Sequence, residues 1–350
     1  MPEPRYHYKE LIRLASSLLE KAGMEAERAW TIAEVLTEAD LMGHTTHGLA
    51  LLPAYLKELE SGGMAKSGEP EIVQDLGAAV TWDGHYLPGP WLVHQAISLA
   101  TERAAKHPVV TVVIRRSHHI ACLAAYLEKV ARQGFFILLS CSDPINKTVA
   151  PYGGLKATYS PNPMAAGIPT QGDPIIIDVS TSTTANALVI QKHREGARLP
   201  HPWLLDGNGQ LTDNPSTFFE GPPATILPLG GLDAGYKGFA LGLLVEALTN
   251  ALSGFGRAEG PTQWGGSVFL QLINPGAFGG LEYFQKETSF LAEACVSSPV
   301  KEGAPPVRLP GSRALALKKE QMGKGMQLYP GILPALEECA LKYGVDMPEP

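Results

Sequence analysis

Cysteine is scarce in this sequence. The chain has 4 cysteines among 350 residues, and Cys122, Cys141, Cys295 and Cys339 form no CxxC pair. Structural zinc sites and the disulfide frameworks of secreted domains need closely spaced or numerous cysteines. The sequence therefore predicts neither, and we expect reduced thiols and a cytoplasmic location.

Long hydrophobic runs are also missing. The longest apolar stretch, Gly238 to Leu248, is interrupted by Glu246 and is too short to span a bilayer. The N-terminal segment from Met1 to His7 lacks the apolar core of a signal peptide. We therefore expect a soluble protein with no membrane partner.

The sequence has no excess of positive charge. Its formal net charge is −7, and the sequence contains no long run of consecutive basic residues. Surfaces that bind nucleic acid are usually basic, so a nucleic-acid partner is not expected. The hydrophobic fraction of 45% and the charged fraction of 18% are typical of a globular protein, and 350 residues are sufficient for two domains.

Several well-known motifs are absent as well. The sequence has no GxGxxG after a strand, no GxxxxGK[ST], no GxSxG and no HExxH. A standard Rossmann fingerprint, a P-loop and a nucleophile elbow are therefore not supported. His118 and His119 are adjacent, and adjacent side chains diverge on a helix or a strand. We accordingly predict no metal ligand set.

What the sequence does contain is an alternation of helical and strand-like segments. Apolar residues recur at helical spacing from Tyr8 to Leu41, with Gly23 separating two helices. Further helices are predicted at residues 52–59, 90–106, 121–133, 236–251, 281–293 and 332–342, and strands at 71–82, 109–114, 135–140, 175–177 and 267–273. The strand–helix–strand order predicts parallel pairing and a layered α/β fold.

Polar clusters follow three of the predicted strands. These clusters are Ser117-His118-His119, Ser140-Cys141-Ser142-Asp143, and the run from Asp178 to Thr184. Ligands of open α/β sheets bind beyond the carboxyl ends of parallel strands, so these clusters are candidate binding positions. The alternative is helix capping by Ser or Asp, with a histidine that is packed or faces solvent.

Two further positions are candidates for proton transfer or anion binding. The link after Leu41 contains Thr46 and His47, and histidine titrates near neutral pH, while a threonine hydroxyl can orient its ring. Lys237 lies at a predicted helix start, where it can assist anion binding. The alternatives are ordinary polar loop residues for the first pair and a surface lysine for the second.

The order of these motifs resembles the malate/L-lactate dehydrogenase family of the second type, which includes sulfolactate, ureidoglycolate and diketogulonate dehydrogenases and reductases of cyclic imino acids. No single motif is specific, but the order is, and it extends over nearly the whole chain. The matching segments are Thr46-His47-Gly48 with Pro53 and Tyr55, Ser117-His118-His119, Pro151-Tyr152-Gly153-Gly154, Asn162-Pro163, Asp178-Val179-Ser180-Thr181-Ser182, Tyr236-Lys237-Gly238 and Pro310-Gly311.

The resemblance implies a layered α/β/α fold in which a non-Rossmann nucleotide-binding domain, residues 118–299, joins a helical substrate and dimerisation domain, residues 1–117 with 300–350. It implies a homodimer and NAD or NADP as cofactor, and the likeness to imine reductases favours NADPH. His47 would be the proton donor, Thr46 would orient it, and His119 would lie near the nicotinamide as the alternative base. The other implied cofactor contacts are Ser142, Asp178, Ser180, Thr181, Lys237, Pro310, Gly311 and Ser312.

The departures from the family concern its substrate contacts. Leu51 stands where the family has an Arg that pairs with the substrate carboxylate, and leucine cannot replace that charge. Arg115 or Arg116 is a candidate replacement cation, and Asn162 is a further candidate substrate contact. Leu188 stands where imino-acid reductases have a relay Asp.

These observations predict an NAD(P)-dependent oxidoreductase that transfers a hydride to or from a small 2-oxo or 2-hydroxy acid or a related carbonyl compound. A reductase of cyclic imines such as Δ1-piperideine- or pyrroline-2-carboxylate is the alternative within this class. A family member that has lost catalysis and only binds a dinucleotide is the alternative from another class, motivated by Leu51, Leu188 and Ser312, where the family has Glu.

Overall fold

A computed structural model describes residues 4–350 of the chain. The part of the N-terminal prediction that concerns Met1, Pro2 and Glu3 lies outside the described residues. The helices are α1 (Tyr8–Lys21), α2 (Ala26–Leu41), α3 (Leu52–Ser61), α4 (Gly89–Arg103), α5 (Leu127–Arg132), α6 (Asn186–Arg194), α7 (Gly231–Glu246), α8 (Leu281–Val296), α9 (Ser312–Lys324) and α10 (Ile332–Tyr343). The strands are β1 (Arg5–Tyr6), β2 (Glu71–Asp75), β3 (Ala79–Asp83), β4 (Val109–Ser117), β5 (Phe136–Ser142), β6 (Met164–Ile168), β7 (Ile175–Val179), β8 (Leu204–Leu205), β9 (Leu211–Thr212), β10 (Thr225–Ile226), β11 (Gly266–Ile273) and β12 (Met326–Gln327).

The central sheet has seven strands in the order β2-β3-β4-β11-β5-β6-β7. Only β3 and β4 pair in parallel, and the other neighbours are antiparallel. The prediction that β4 and β5 pair in parallel with each other is therefore wrong, because β11 lies between them. A strand–helix–strand connection sets the direction of its two strands, but it leaves a gap that a later strand can fill.

The direction of the strands brings the predicted polar clusters together. β4 and β5 are both antiparallel to β11, and β7 is antiparallel to β6, so β3, β4, β5 and β7 all run the same way. At that edge Gly266 pairs with Ser117, and Ser267 pairs with Ser142. The carboxyl ends of four strands and the amino end of β11 consequently share one edge of the sheet, which we call the polar edge.

Most predicted elements are present with small changes at their ends. The segment predicted as one strand, residues 71–82, is instead a hairpin of β2 and β3, whose turn contains Gly77 at φ 79°. The predicted helix at 121–133 begins with a 3-10 turn, Leu123–Tyr126, before α5. Helical spacing predicts neither α6 nor α9, because most of their apolar residues stand consecutively, at 187–190 and 314–317, rather than at that spacing.

A main hydrophobic core lies between the sheet and the helices, where α2 packs against α1, α4 and α9. A second, smaller core includes Val149, Tyr159 and Leu204 near a sheet ordered β10-β8-β9. The predicted division at residues 117 and 118 stays a prediction, and the central sheet takes strands from both sides of that boundary. All four cysteines are free. Within residues 4–350, no helix has the length and apolar character needed to span a membrane.

Candidate active site

His47 lies in a tight turn that connects α2 to α3. The turn contains two short 3-10 segments, Thr45–His47 and Leu49–Leu51. The hydroxyl of Thr46 is 2.9 Å from Nδ1 of His47, which is the orienting contact that the resemblance implied. Thr46 therefore occupies Nδ1 and leaves Nε2 as the nitrogen of His47 that can face a ligand.

His119 follows β4 at the polar edge and faces His47. The two imidazole centroids are 6.0 Å apart and their planes differ by 28°. The Tyr55 hydroxyl is 2.8 Å from Nδ1 of His119, and the backbone N–H of Ala121 donates to the same nitrogen at 3.3 Å. A backbone N–H can only donate, so Nδ1 is an acceptor and the proton of the neutral ring is on Nε2.

Trp264 forms an aromatic wall beside these histidines. Its ring stacks on His119 with a centroid distance of 5.0 Å, and it lies 5.9 Å from the ring of Tyr55. Trp264 lies two residues before β11, so the position of the amino end of that strand places Trp264 at the polar edge. No sequence motif marks Trp264 as a candidate site residue, because only the antiparallel insertion of β11 shows where it lies.

His118 belongs to the packing beneath the site. It is 1% exposed, and neither ring nitrogen has a hydrogen-bond partner. Its ring packs against Trp264 at 4.9 Å and against the edge of Tyr55. Burial lowers the pKa of His118 to about 3, so the ring is neutral at physiological pH. Of the two adjacent histidines, only His119 faces His47.

The electrostatic surroundings distinguish His47 from His119. Burial lowers the pKa of His47, but the carboxylate of Asp178 acts in the opposite direction. Burial lowers the pKa of His119 well below its ordinary value, and His47 and His118 lower it further. His47 is thus the histidine with a nearby anion that favours its protonated form.

Asp178, at the end of β7, contacts residues from two distant segments. Its Oδ2 accepts the backbone N–H of Ala124 at 2.9 Å and the thiol of Cys122 at 3.7 Å. His44 completes a group of three whose ligand atoms lie within 4.8 Å of one another. Imidazole, thiolate and carboxylate are ligands of divalent transition metals, so the prediction of no metal ligand set stays a prediction.

Ser180 and Thr181 shape the loop after β7. The hydroxyl of Ser180 donates to the carbonyl of Ser182 at 2.9 Å. Thr181 is buried, and its hydroxyl donates to the carbonyl of Pro161 at 3.0 Å. Their side chains therefore fix the loop, and Ser180 is the more accessible of the two to a ligand.

Ser142 and Asn162 are buried beside a partly buried ion pair of Glu246 and Arg257, which no sequence motif indicates. Arg257 Nη2 is 2.7 Å from Glu246 Oε1. The same oxygen accepts the Ser142 hydroxyl at 2.8 Å and the Asn162 amide at 2.9 Å. Asn162 is completely buried. This geometry supports a structural role for both residues, and direct contact with a ligand stays a prediction.

Two exposed features near helix starts can receive an anion. Helix α7 is kinked at Ala234, so Lys237 lies in the first turn after the kink, and its side chain is exposed. Gly311, at φ 81°, precedes α9 and packs so closely on β7 that an added Cβ would lie 2.5 Å from Cβ of Ile176. Pro310 and Ser312 flank this contact, so the N-terminus of α9 lies against β7, the strand that ends in the loop of Asp178.

Arg116 is not a free cation. Its Nε donates to Asp83 Oδ1 at 2.8 Å, and Arg115 Nε donates to Oδ2 of the same carboxylate at 2.7 Å. Asp83 is completely buried and is neutralised by these two guanidinium groups. Leu51 is half-buried and packs against the main core. The geometry therefore gives no support to Arg116 as a replacement for the missing family arginine.

Comparisons with known proteins show which family and named relatives the chain is similar to. Residues 6–337 match the family described as malate/L-lactate dehydrogenase. The chain is 31% identical over 348 residues to L-lactate dehydrogenase of Cupriavidus necator, covering 96% of this chain and 97% of that protein. It is 32% identical to the (2R)-3-sulfolactate dehydrogenase (NADP(+)) of Chromohalobacter salexigens, covering 95% of this chain and 97% of that protein.

Solved structures show the same fold. Malate dehydrogenase of Entamoeba histolytica superimposes with a TM-score of 0.93 at 22% identity, covering 99% of both chains. The Δ1-piperideine-2-carboxylate reductase of Pseudomonas syringae superimposes with a TM-score of 0.82 at 28% identity, covering 96% of this chain and 99% of that one. The predicted α/β fold is therefore confirmed.

Proposed function

The chain belongs to the malate/L-lactate dehydrogenase family, and from this premise we propose that it transfers a hydride between NAD(P) and a small 2-oxo or 2-hydroxy acid or a related carbonyl compound. The observation that carries the proposal is the facing pair of His47 and His119 at the polar edge. Such chemistry needs a proton carrier beside the accepting heteroatom, and no protein nucleophile, since a bound nicotinamide supplies the hydride.

His47 is the proton carrier in this proposal. Thr46 occupies Nδ1, so proton exchange with the substrate takes place at Nε2. The carboxylate of Asp178 favours the imidazolium form that must exist before the proton is donated. In the oxidative direction the neutral ring accepts the proton at the same nitrogen.

His119 positions the reacting groups and exposes a donor. Tyr55 and the backbone of Ala121 hold Nδ1, so Nε2–H is the group available to a substrate oxygen or a cofactor amide. Its strongly lowered pKa makes it a poor store of a proton at neutral pH. We therefore assign to His119 orientation and hydrogen bonding rather than the main proton transfer.

The dinucleotide contacts proposed are His119, Asp178, Ser180, Lys237 and the segment from Pro310 to Ser312. Lys237 is an exposed cation, and α9 offers the N-terminus of a 13-residue helix, which suit the phosphates of a dinucleotide. Ser142 and Thr181 would act through the loops that they fix. We favour NADPH over NADH, and the sulfolactate relative that is named for NADP(+) supports that choice.

The residues proposed for the substrate side have little free charge. Leu51 stands where the family resemblance implies an arginine, Trp264 stacks on His119, and Arg116 is neutralised by Asp83. We therefore propose a substrate that is less acidic or bulkier than a simple 2-oxo acid, and that contacts His47, Leu51 and Trp264.

A cyclic imine is the second candidate substrate. The structural similarity to a Δ1-piperideine-2-carboxylate reductase favours it. Leu188 counts against it, because that residue packs against the smaller core and has no ionisable group for a proton relay.

A homodimer in the cytoplasm is also part of the proposal. Helix α8 has no buried residue and exposes Tyr283, Phe290 and Leu291, with Phe290 73% exposed. Helix α7 exposes Leu243 and Leu244 in the same way. Apolar surface of this extent commonly marks an interface, so we propose that α7 and α8 contribute to the dimer contact, and the predicted dimerisation segments, residues 1–117 with 300–350, stay a prediction.

The decisive experiment measures oxidation of NADH and NADPH against a panel of 2-oxo acids, their esters and cyclic imines. We expect turnover with at least one compound, and we expect His47→Ala to lower kcat about 10²-fold or more. His201→Ala, at an exposed surface histidine, is the matched control. Cofactor binding without turnover of any compound would support the alternative hypothesis that this protein has lost catalysis and only binds a dinucleotide.

A further inference from the structure

Asp40 bonds directly to the turn that carries His47. It lies in the last turn of α2, is 4% exposed, and its Oδ2 accepts the backbone N–H of Leu49 at 2.7 Å. Across residues 4–350, this is the only side-chain hydrogen bond to the backbone of segment 43–51. The bond closes the loop that starts at the end of α2 and contains both Thr46 and His47.

Gly48 makes this bond sterically feasible. A Cβ added at Gly48 would lie 2.4 Å from the carboxyl carbon of Asp40, far inside van der Waals contact. The carboxyl group therefore packs directly on the backbone of the residue that follows His47. A larger residue at position 48 would displace either the carboxyl group or the turn.

The backbone of Asp40 is fixed at the end of α2, but its carboxyl group lies in unfavourable surroundings. From α9, the side-chain amide of Gln321 donates to the carbonyl oxygens of Asp40 and Leu41 at 3.1 and 3.0 Å, which fixes the end of α2. Asp40 Oδ1 is buried without a hydrogen-bond partner. A buried polar atom without a partner lowers stability, so general packing does not account for an aspartate at this position.

We propose that Asp40 is a positioning residue that ties the turn to the end of α2 and thereby keeps the ring of His47 facing His119. Asp40 touches neither substrate nor cofactor in this arrangement, and it acts through Leu49 and the backbone of Gly48. The proposal rests on the proposed function for its kinetic consequence, but its structural consequence can be measured without turnover. A displacement of about 1 Å at a reacting group can lower a rate by about 10²-fold.

The kinetic test compares Asp40→Asn and Asp40→Ala. Asparagine retains an oxygen that can accept the Leu49 N–H, whereas alanine does not. We expect Asp40→Ala to lower kcat about tenfold or more with little change in the Kd of the cofactor, and Asp40→Asn to stay within a few-fold of the wild type. Thr37→Val, on the same helix at a buried hydroxyl without a partner, is the matched control. Unchanged kcat in Asp40→Ala, or equal losses in the alanine and asparagine variants, would overturn the proposal.

The structural test uses NMR on the free protein with labelled histidine and backbone amides. In Asp40→Ala we expect the pKa of His47 to rise toward the ordinary value, because a loosened turn admits water to the ring. We also expect the Leu49 amide to exchange faster with solvent. Gly48→Ala should produce the same two changes, because the added Cβ would displace either the carboxyl group of Asp40 or the turn. Wild-type values in both variants would refute the positioning role. If the wild type turned over no substrate while these shifts occurred, the proposed function would fail and the role of Asp40 would stand.

Discussion

The hydroxyl of Tyr55 lies 2.8 Å from Nδ1 of His119, and this contact decides which face of the imidazole can meet a ligand. Because the Ala121 N–H donates to the same nitrogen, the ring has one orientation and one favoured tautomer. The site therefore presents a fixed Nε2–H donor from His119 opposite a titratable His47.

Tyr55→Phe should weaken that orientation without removing the aromatic packing. One hydrogen bond contributes about 0.5–1.5 kcal/mol, so we expect kcat to fall by up to about tenfold while the Kd of the cofactor stays within about twofold. Tyr126→Phe is the matched control, since Tyr126 is also buried and its hydroxyl donates to a backbone carbonyl, that of Ile120. Equal effects of the two substitutions would contradict a specific role for Tyr55.

The pH dependence of the reaction should report the lowered pKa of His47. Reduction needs the imidazolium, so kcat/KM for reduction should fall as pH rises through a pKa below 6.5, while oxidation should rise through the same pKa. Asp178→Asn removes an anion that favours the imidazolium and should lower that pKa further. Parallel pH profiles in both directions, with no opposite trends, would exclude His47 as the proton carrier.

Leu51→Arg should restore recognition of a carboxylate. A guanidinium group can form two hydrogen bonds to a carboxylate, so we expect kcat/KM for 2-oxo acids to rise about tenfold relative to their esters. Leu51→Met, which keeps an apolar side chain of similar volume, is the control. If the ratio of acid to ester activity is the same in both variants, position 51 does not contact the carboxylate.

The Glu246–Arg257 pair should matter for stability more than an exposed pair does. Arg257→Met leaves a mostly buried carboxylate without its cation; such a loss costs about 3–5 kcal/mol for a fully buried pair, so we expect a loss of stability toward that range. Arg198→Met breaks a pair with Asp213 that is largely exposed, for which we expect about 1 kcal/mol or less. Denaturant unfolding of both variants tests this, and comparable losses would show that the network around Glu246 is not a stabilising unit.

The buried carboxyl group of Asp40 should make stability depend on pH. Burial raises its pKa to about 7 in the folded state, so the folded chain holds a proton that the unfolded chain releases near the ordinary pKa of 3.8. The contribution of Asp40 to the free energy of unfolding is therefore greatest at low pH, and it is lost as pH rises from about 4 to about 7. We expect Asp40→Asn to stabilise the protein more at pH 8 than at pH 5. A difference in melting temperature from wild type that does not change with pH would contradict this.

The sequence determined much of this protein by itself. Helical spacing predicted α1 and α2 on either side of Gly23, β4 was among the predicted strands, and the order of short motifs identified the family. The pair of Thr46 and His47 was also found from the sequence, because adjacent residues in a turn stay close in any fold. These are local properties, which depend on neighbours along the chain.

The tertiary structure decided what depends on distant residues. Only the insertion of β11 brings Trp264 to His119, only the approach of β3 to β4 neutralises Arg116 through Asp83, and only the return of the chain over α2 places Gly48 on the carboxyl group of Asp40. No spacing in the sequence encodes these contacts, because strand order and packing are set by the burial of the whole core. The sequence therefore predicted candidate residues for the reaction, and the three-dimensional packing decided which of those side chains are free to contact a ligand.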